Sequence, residues 1–161
     1  MYVDSAYFYS MFPELRSDNA YDKGCKQAQR LIDDQTTGVD GVRKLRIAMP
    51  TDAEDVDAVK MCWCELCKAC YFVEKAKDAL NSAMGVQSVN GNIVPMTIKS
   101  VSAGGESVSY GTDAGMESAY MAAAKSPSGA RSLAFSIVKE YLSGVRDANG
   151  VNLLFRGAYP A

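Results

Sequence analysis

The sequence contains no histidine. That absence removes the side chain most often used as a general base near neutral pH, the commonest metal-binding ring, and any Ser-His or Cys-His nucleophile pair. A basic excess is missing as well. Seventeen Lys and Arg stand against 19 Asp and Glu, a formal net charge of −2, whereas an autonomous nucleic-acid binder needs a cationic surplus or stripe. Long apolar runs are also absent. The uncharged stretch from Ala79 to Ile98 holds three Asn, a Gln, two Gly and Pro95, so no segment is expected to cross a bilayer. The start, Met1-Tyr2-Val3-Asp4-Ser5, has no basic region, and Asp4 interrupts where an apolar export signal would begin.

What is present is ordinary globular material. Hydrophobic residues make up 48% and charged residues 22% of 161 positions, enough for one domain with its own core. Five cysteines, an odd number without an export signal, read as reduced thiols in a cytosolic setting.

The expected fold is mainly α. Tyr2, Tyr7, Phe8, Tyr9 and Phe12 crowd the start, where Asp4 can cap a short helix that Pro13 stops. So aromatic a segment should dock on the core or on a partner. Asp18 to Thr36 repeats apolar positions near three and four, a second helix. Residues 38–50 read as a mixed loop. Thr51 and Glu54 form a T-x-x-E capping box, and Asp52, Glu54, Asp55 and Asp57 crowd the first turns, where the helix dipole favours negative charge. From there Val56, Val59, Trp63, Leu66, Cys70, Val73, Ala76, Leu80 and Met84 recur at threes and fours with no Gly or Pro between them. This predicts a long central helix with one continuous buried seam. Lys60, Lys68 and Lys75 would mark its wet side.

Glycine then becomes frequent. Residues 95–102 and 106–110, flanking Ala103-Gly104-Gly105, read as a β-hairpin arm. A lone hairpin is marginal in water and needs a surface to lie on. Residues 113–125 are Ala-rich and helical. Pro127 opens a last helix that Gly144 ends. Asp147-Ala148-Asn149-Gly150 is a turn, and Val151 to Phe155 a short strand leading into an extended tail. The expected organisation is a single domain, 1–161, with a helical core about 4–85 and 113–144, a β arm about 94–111 and a tail about 150–161.

Several constellations have ordinary explanations. Cys64-x-x-Cys67-x-x-Cys70, with Cys62 before it, matches three ligands of a bacterial ferredoxin cluster, but Glu74 stands where the fourth would be. On a helix at ~100° per residue, Cys62 and Cys64 point about 160° apart, so four thiolates cannot meet at one metal. Small buried hydrophobes are the better reading, and no metal or cofactor is expected. The carboxylates at 52–57, with Asp33-Asp34, read as solvated helix ends rather than a Mg²⁺ site. Gly104-Gly105 lacks the Lys-Ser/Thr of a phosphate loop. In the tail Leu153-Leu154-Phe155-Arg156-Gly157, three consecutive apolar residues cannot share one face of a strand. They either cover the chain's own core or form an arm that adds to a partner.

Taken in order, these pieces resemble the head–tail connector (adaptor, or head-completion) proteins of long-tailed bacteriophages and prophages. The resemblance rests on Tyr2-Val3-Asp4-Ser5-Ala6-Tyr7-Phe8, on Ala28-Gln29-Arg30-Leu31-Ile32-Asp33 with Thr36-Thr37-Gly38, and on Ala58-Val59-Lys60-Met61-Cys62-Trp63-Cys64 through Tyr71. It continues with Ile98-Lys99-Ser100, Ser107-Val108-Ser109-Tyr110-Gly111, Tyr141-Leu142-Ser143-Gly144 and Leu153 to Gly157. The Cys-rich turn and the length of residues 111–129 depart from the family's pattern.

The resemblance implies a virion protein and no enzyme: a ring beneath the portal matching its twelve-fold symmetry, located in the neck and assembled in the host cytoplasm. Its partners would be itself, the portal and the next neck or stopper protein, with DNA passing through the lumen and no membrane. Ile98, Val101, Val108 and Tyr110 are the candidates for subunit–subunit contact. Leu153, Leu154, Phe155, Arg156, Gly157 and Tyr159 are the candidates for portal or neighbour contact. The alternative, from another class, is a cytosolic redox or iron–sulfur protein using the Cys cluster.

Overall fold

A computed structural model describes residues 2–89, 92–97, 100–103, 106–109 and 119–160, with side chains described for 2–78, 80 and 119–160. The described part is mainly α. Helix α1 is Ser5–Met11, α2 Ala20–Thr36, α3 Lys44–Ile47, α4 Ala53–Ala83, α5 Ala119–Ala124 and α6 Pro127–Leu142. Asp4 caps α1 by accepting the Tyr7 N–H at 2.8 Å, and Ser126 caps α6 by accepting that of Gly129 at 3.0 Å. Pro127 sits in the first turn of α6, where its missing N–H costs nothing.

The cap of α4 differs from the expected box. Asp52, not Thr51, accepts the N–H groups of Glu54 and Asp55, at 2.9 and 3.4 Å. A carboxylate there satisfies orphan donors and meets the positive end of the dipole at once. Residues 38–50 are not all loop, since α3 forms within them.

The central helix is buried more widely than one seam. Val59, Trp63, Leu66, Cys70 and Val73 are buried as expected, whereas Val56, Ala76 and Leu80 are only half-buried. Cys62, Cys64, Cys67, Ala69 and Tyr71 are buried too. The reason is that α4 is enclosed by several neighbours: α2, α5 and α6 all pack on it. Of the lysines assigned to its wet side, Lys75 is exposed and Lys60 and Lys68 are half-buried, and all three lie over aromatic rings. Lys60 is 5.7 Å from the Tyr7 ring centre, Lys68 4.3 Å from that of Phe12, and Lys75 5.6 Å from that of Tyr71. Their stems and charges cover rings that would otherwise be wet. Residues 60, 64 and 68 share a helix face, so the N-terminal aromatics shield the face that bears Cys64.

The aromatic start is docked, as expected. Phe8 is fully buried, with rings of Tyr9, Phe12 and Tyr21 within 5.8 Å of it, and Tyr21 leads on to the fully buried Trp63 at 5.7 Å. Helix α2 approaches α4 closely at Gly24. A Cβ built there would lie 2.3 Å from the Cys67 carbonyl oxygen.

Beyond α4 the backbone forms two antiparallel ladders, Met84–Val89 with Asn92–Thr97 and Ser100–Ala103 with Glu106–Ser109. Pro95 to Thr97, expected to pair forward with residues 106–110, pair back with Met84–Val86 instead. Val101 lies opposite Val108 in register. Ile98 and Tyr110 fall outside the described residues, as do Gly104, Gly105 and residues 113–118; the rest of the helix expected over 113–125 is described and holds α5.

Candidate functional site

The chain after α6 is built around one buried cation. Asp147-Ala148-Asn149-Gly150 forms the expected turn. Asp147 Oδ1 accepts the N–H groups of Asn149 and Val151, and the Gly150 N–H, at φ +77°, closes back on the Asp147 carbonyl at 2.9 Å. The expected strand over 151–155 is absent. Only an isolated bridge joins Arg146 and Asn152, because Leu153 turns inward and becomes fully buried. Leu154 is half-buried, and Phe155 is 51% exposed. The three consecutive apolar residues are thus divided among core, boundary and surface.

Lys44 holds this arrangement. It has no exposed surface, and its Nζ donates to the carbonyl oxygens of Asn152 and Leu153, both at 3.2 Å, and of Phe155. The Phe155 ring lies 5.6 Å from the same ammonium. No carboxylate forms an ion pair with it among the described residues. Burial lowers the Lys44 pKa from its ordinary 10.5, with Asp147 and Asp40 partly opposing the shift and Arg156 adding to it.

Further bonds fasten the segment to residues 35–40. The Val39 N–H donates to the Arg156 carbonyl at 3.1 Å, the Tyr159 N–H to Asp40 at 2.6 Å, and the Arg156 guanidinium to Gln35 at 2.9 Å. The Tyr159 hydroxyl donates to Asp147 at 2.6 Å, which raises its pKa. The Tyr159 amide likewise holds the Asp40 carboxyl below its usual range. The outcome is a fixed ledge whose exposed parts include Val39, Phe155 and Arg156.

A second polar centre lies under the N-terminus. Asp33 is 2% exposed and accepts from the Tyr2 hydroxyl at 2.7 Å, Gln29 at 3.1 Å and the Arg46 guanidinium at 2.8 and 2.5 Å. Both of its oxygens are engaged, fastening Tyr2 ahead of α1, and Arg46 of α3, to α2. Nothing in the sequence singles out Asp33 or Lys44 as the buried member among its neighbours. The only signal is that each lies in register with the apolar face of a helix.

The cysteines are all buried and unpaired. Cys67 Sγ lies 3.7 Å from the Tyr21 carbonyl oxygen, facing α2. Burial pushes the thiols of Cys62, Cys64 and Cys70 up to about 12 and raises that of Cys67 as well. A protonated thiol is neither a nucleophile nor a metal ligand. Among the described residues no three His, Cys, Asp or Glu side chains converge as metal ligands, and no helix is long and apolar enough to cross a membrane.

The predicted contact residues fare unequally. Leu153 faces this chain's own core and offers no surface in this fold, while Phe155 and Arg156 are exposed, and Leu154, Gly157 and Tyr159 are partly so. The side chains of Val101 and Val108 lie outside the described set. No protein-family model, curated protein or solved structure matches the chain.

Proposed function

We propose that the protein is a structural subunit of a phage neck, forming a ring beneath the portal, extending the DNA channel and presenting a surface to the next neck protein. The reading starts from the ordered resemblance along the sequence. The observation that carries it furthest is the ledge at residues 38–40 and 152–159. Here the segment that resembles the family's ending is fastened by Lys44, Asp40 and Asp147, and it holds Phe155 and Arg156 out to solvent. Fastening lowers the entropy lost when such a surface docks.

The role needs no catalysis. The subunit's mild negative charge suits a lumen that lets DNA pass without gripping it. In a ring, one face of a subunit meets a different face of the next, and the paired strands over 84–109 are the proposed source of one of those faces. The redox alternative finds no support in thiols held protonated and splayed around one helix.

Electron microscopy of the purified protein mixed with portal tests the reading directly: an added ring is expected, and an unchanged portal would refute it. Deleting residues 150–161 would be a poor variant, because it removes fully buried Leu153 and uncovers Lys44. Phe155→Ser with Arg156→Glu leaves the core intact and should abolish portal binding while preserving the circular dichroism spectrum.

A further inference from the structure

Helices α2 and α6 both pack on α4 but touch each other little. Between them lies an open groove of about 250 Å³. Its walls are apolar and come from all three helices: Leu31 from α2, Leu66, Cys70 and Val73 from α4, Ala130 and Leu133 from α6. Lys77 and Arg131 stand at its edge. The adjoining hollow, which shares Gln27 and Leu31 with the groove, is lined by Lys23, Lys26 and Arg30, with Asp34 the one carboxylate beside it. Lys26, Arg30, Lys77 and Arg131 are exposed and form no ion pair among the described residues. An apolar trough with unpaired cations along its edges therefore sits on a chain that is acidic overall.

We propose that this groove docks an amphipathic helix of a partner protein. The partner's large apolar side chains would enter at i, i+3 and i+4 spacing, and its Asp and Glu residues would lie opposite Lys26, Arg30, Lys77 and Arg131. The apolar walls decide the class of partner, since they contribute nothing to binding phosphates, whereas they supply the desolvated centre that a peptide helix needs. A second copy of this chain fits less well. Its acidic stretch, the start of α4, turns Val56 and Val59 toward its own interior, leaving charge without an apolar face. The inference does not depend on the neck reading.

A synthetic, fluorescein-labelled amphipathic helix tests it, with Leu at the spaced positions and Glu on both flanks. The control peptide carries Lys in place of every Glu. Fluorescence anisotropy at low salt should show the Glu peptide binding at least roughly tenfold more tightly than the Lys peptide. Arg131→Glu with Lys77→Glu should weaken it by a similar factor, as should Ala130→Trp, which fills the groove without changing charge. The charge variants lie at exposed positions, and thermal melting should show their fold retained. Equal affinity for the two peptides, or binding indifferent to both the charge and the filling variants, would overturn the proposal. So would duplex DNA binding that the charge variants abolish while the Glu peptide fails to bind. Dimerisation lost in Ala130→Trp, again without peptide binding, would assign the groove to a second copy and overturn it too.

Discussion

Replacing Lys44 with methionine keeps most of the side chain's volume and removes only its charge and donors. Three carbonyl oxygens lose a partner, but not equally. That of Asn152 still accepts the Phe155 N–H at 3.1 Å, whereas those of Leu153 and Phe155 are left with none. An unsatisfied buried carbonyl costs about 1–3 kcal/mol, so two cost about 2–6 kcal/mol at most. Against this, methionine escapes the penalty of burying an ammonium. The net expectation is a loss of about 1–3 kcal/mol, near 2–4 °C in Tm for each kcal/mol in a chain of this length.

The loss should be local. Amide exchange should quicken at Val39, Leu153 and Tyr159, whose N–H groups bond to Arg156, Val145 and Asp40, and should change little within α4. The pH dependence has a definite sign. The folded pKa of Lys44 lies below its ordinary 10.5. Above the folded value the native group has lost its proton while the unfolded chain still holds it, so stability gained from this residue rises with pH up to about 10.5. Wild type should therefore gain on Lys44→Met over that alkaline window. A variant as stable as wild type, with unchanged exchange at the three amides, would refute the idea that a buried cation organises the ledge.

The remaining expectations concern the core. Gly24→Ala should destabilise by about 1–3 kcal/mol in urea unfolding, because the new Cβ meets the Cys67 backbone at 2.3 Å; helix propensity alone predicts the opposite sign, a gain of about 1 kcal/mol. Arg46→Ala should lower stability in chemical denaturation, because it strips the buried Asp33 carboxylate of its cationic partner. The thiols of Cys62, Cys64 and Cys70 titrate near 12 when folded against 9.0 ordinarily, so above pH 9 the unfolded chain loses protons that the native chain keeps. Each such thiol should lower stability by roughly 1.4 kcal/mol per pH unit between those values, and in the Cys64→Ala variant the alkaline decline measured by thermal melting should be shallower. Native protein should also react slowly with a thiol reagent at pH 8 until denaturant is added.

Local signals were enough to place several elements. Asp4, Ser126 with Pro127, and the Asp147–Gly150 turn each act within four residues, so their chemistry is written in adjacent letters. The long helix over 53–83 was legible for the same reason, since threes and fours of apolar residues without Gly or Pro suit few other conformations. What the letters could not show was how many neighbours that helix would have. Cys64 looks off-seam on a helical wheel and is buried nonetheless, on the face that the N-terminal aromatics shield.

The absence of histidine and of basic excess already narrowed the chemistry, and the short-range patterns determined most helix positions and caps. Only the tertiary structure decided which charges are buried. Lys44 and Lys77 are alike as residues, yet one ends on carbonyls more than a hundred positions away and the other stands at the edge of a groove. The tail's three apolar residues were likewise divided by distant contacts. A side chain's burial depends on what the rest of the chain brings to it, and that information is non-local.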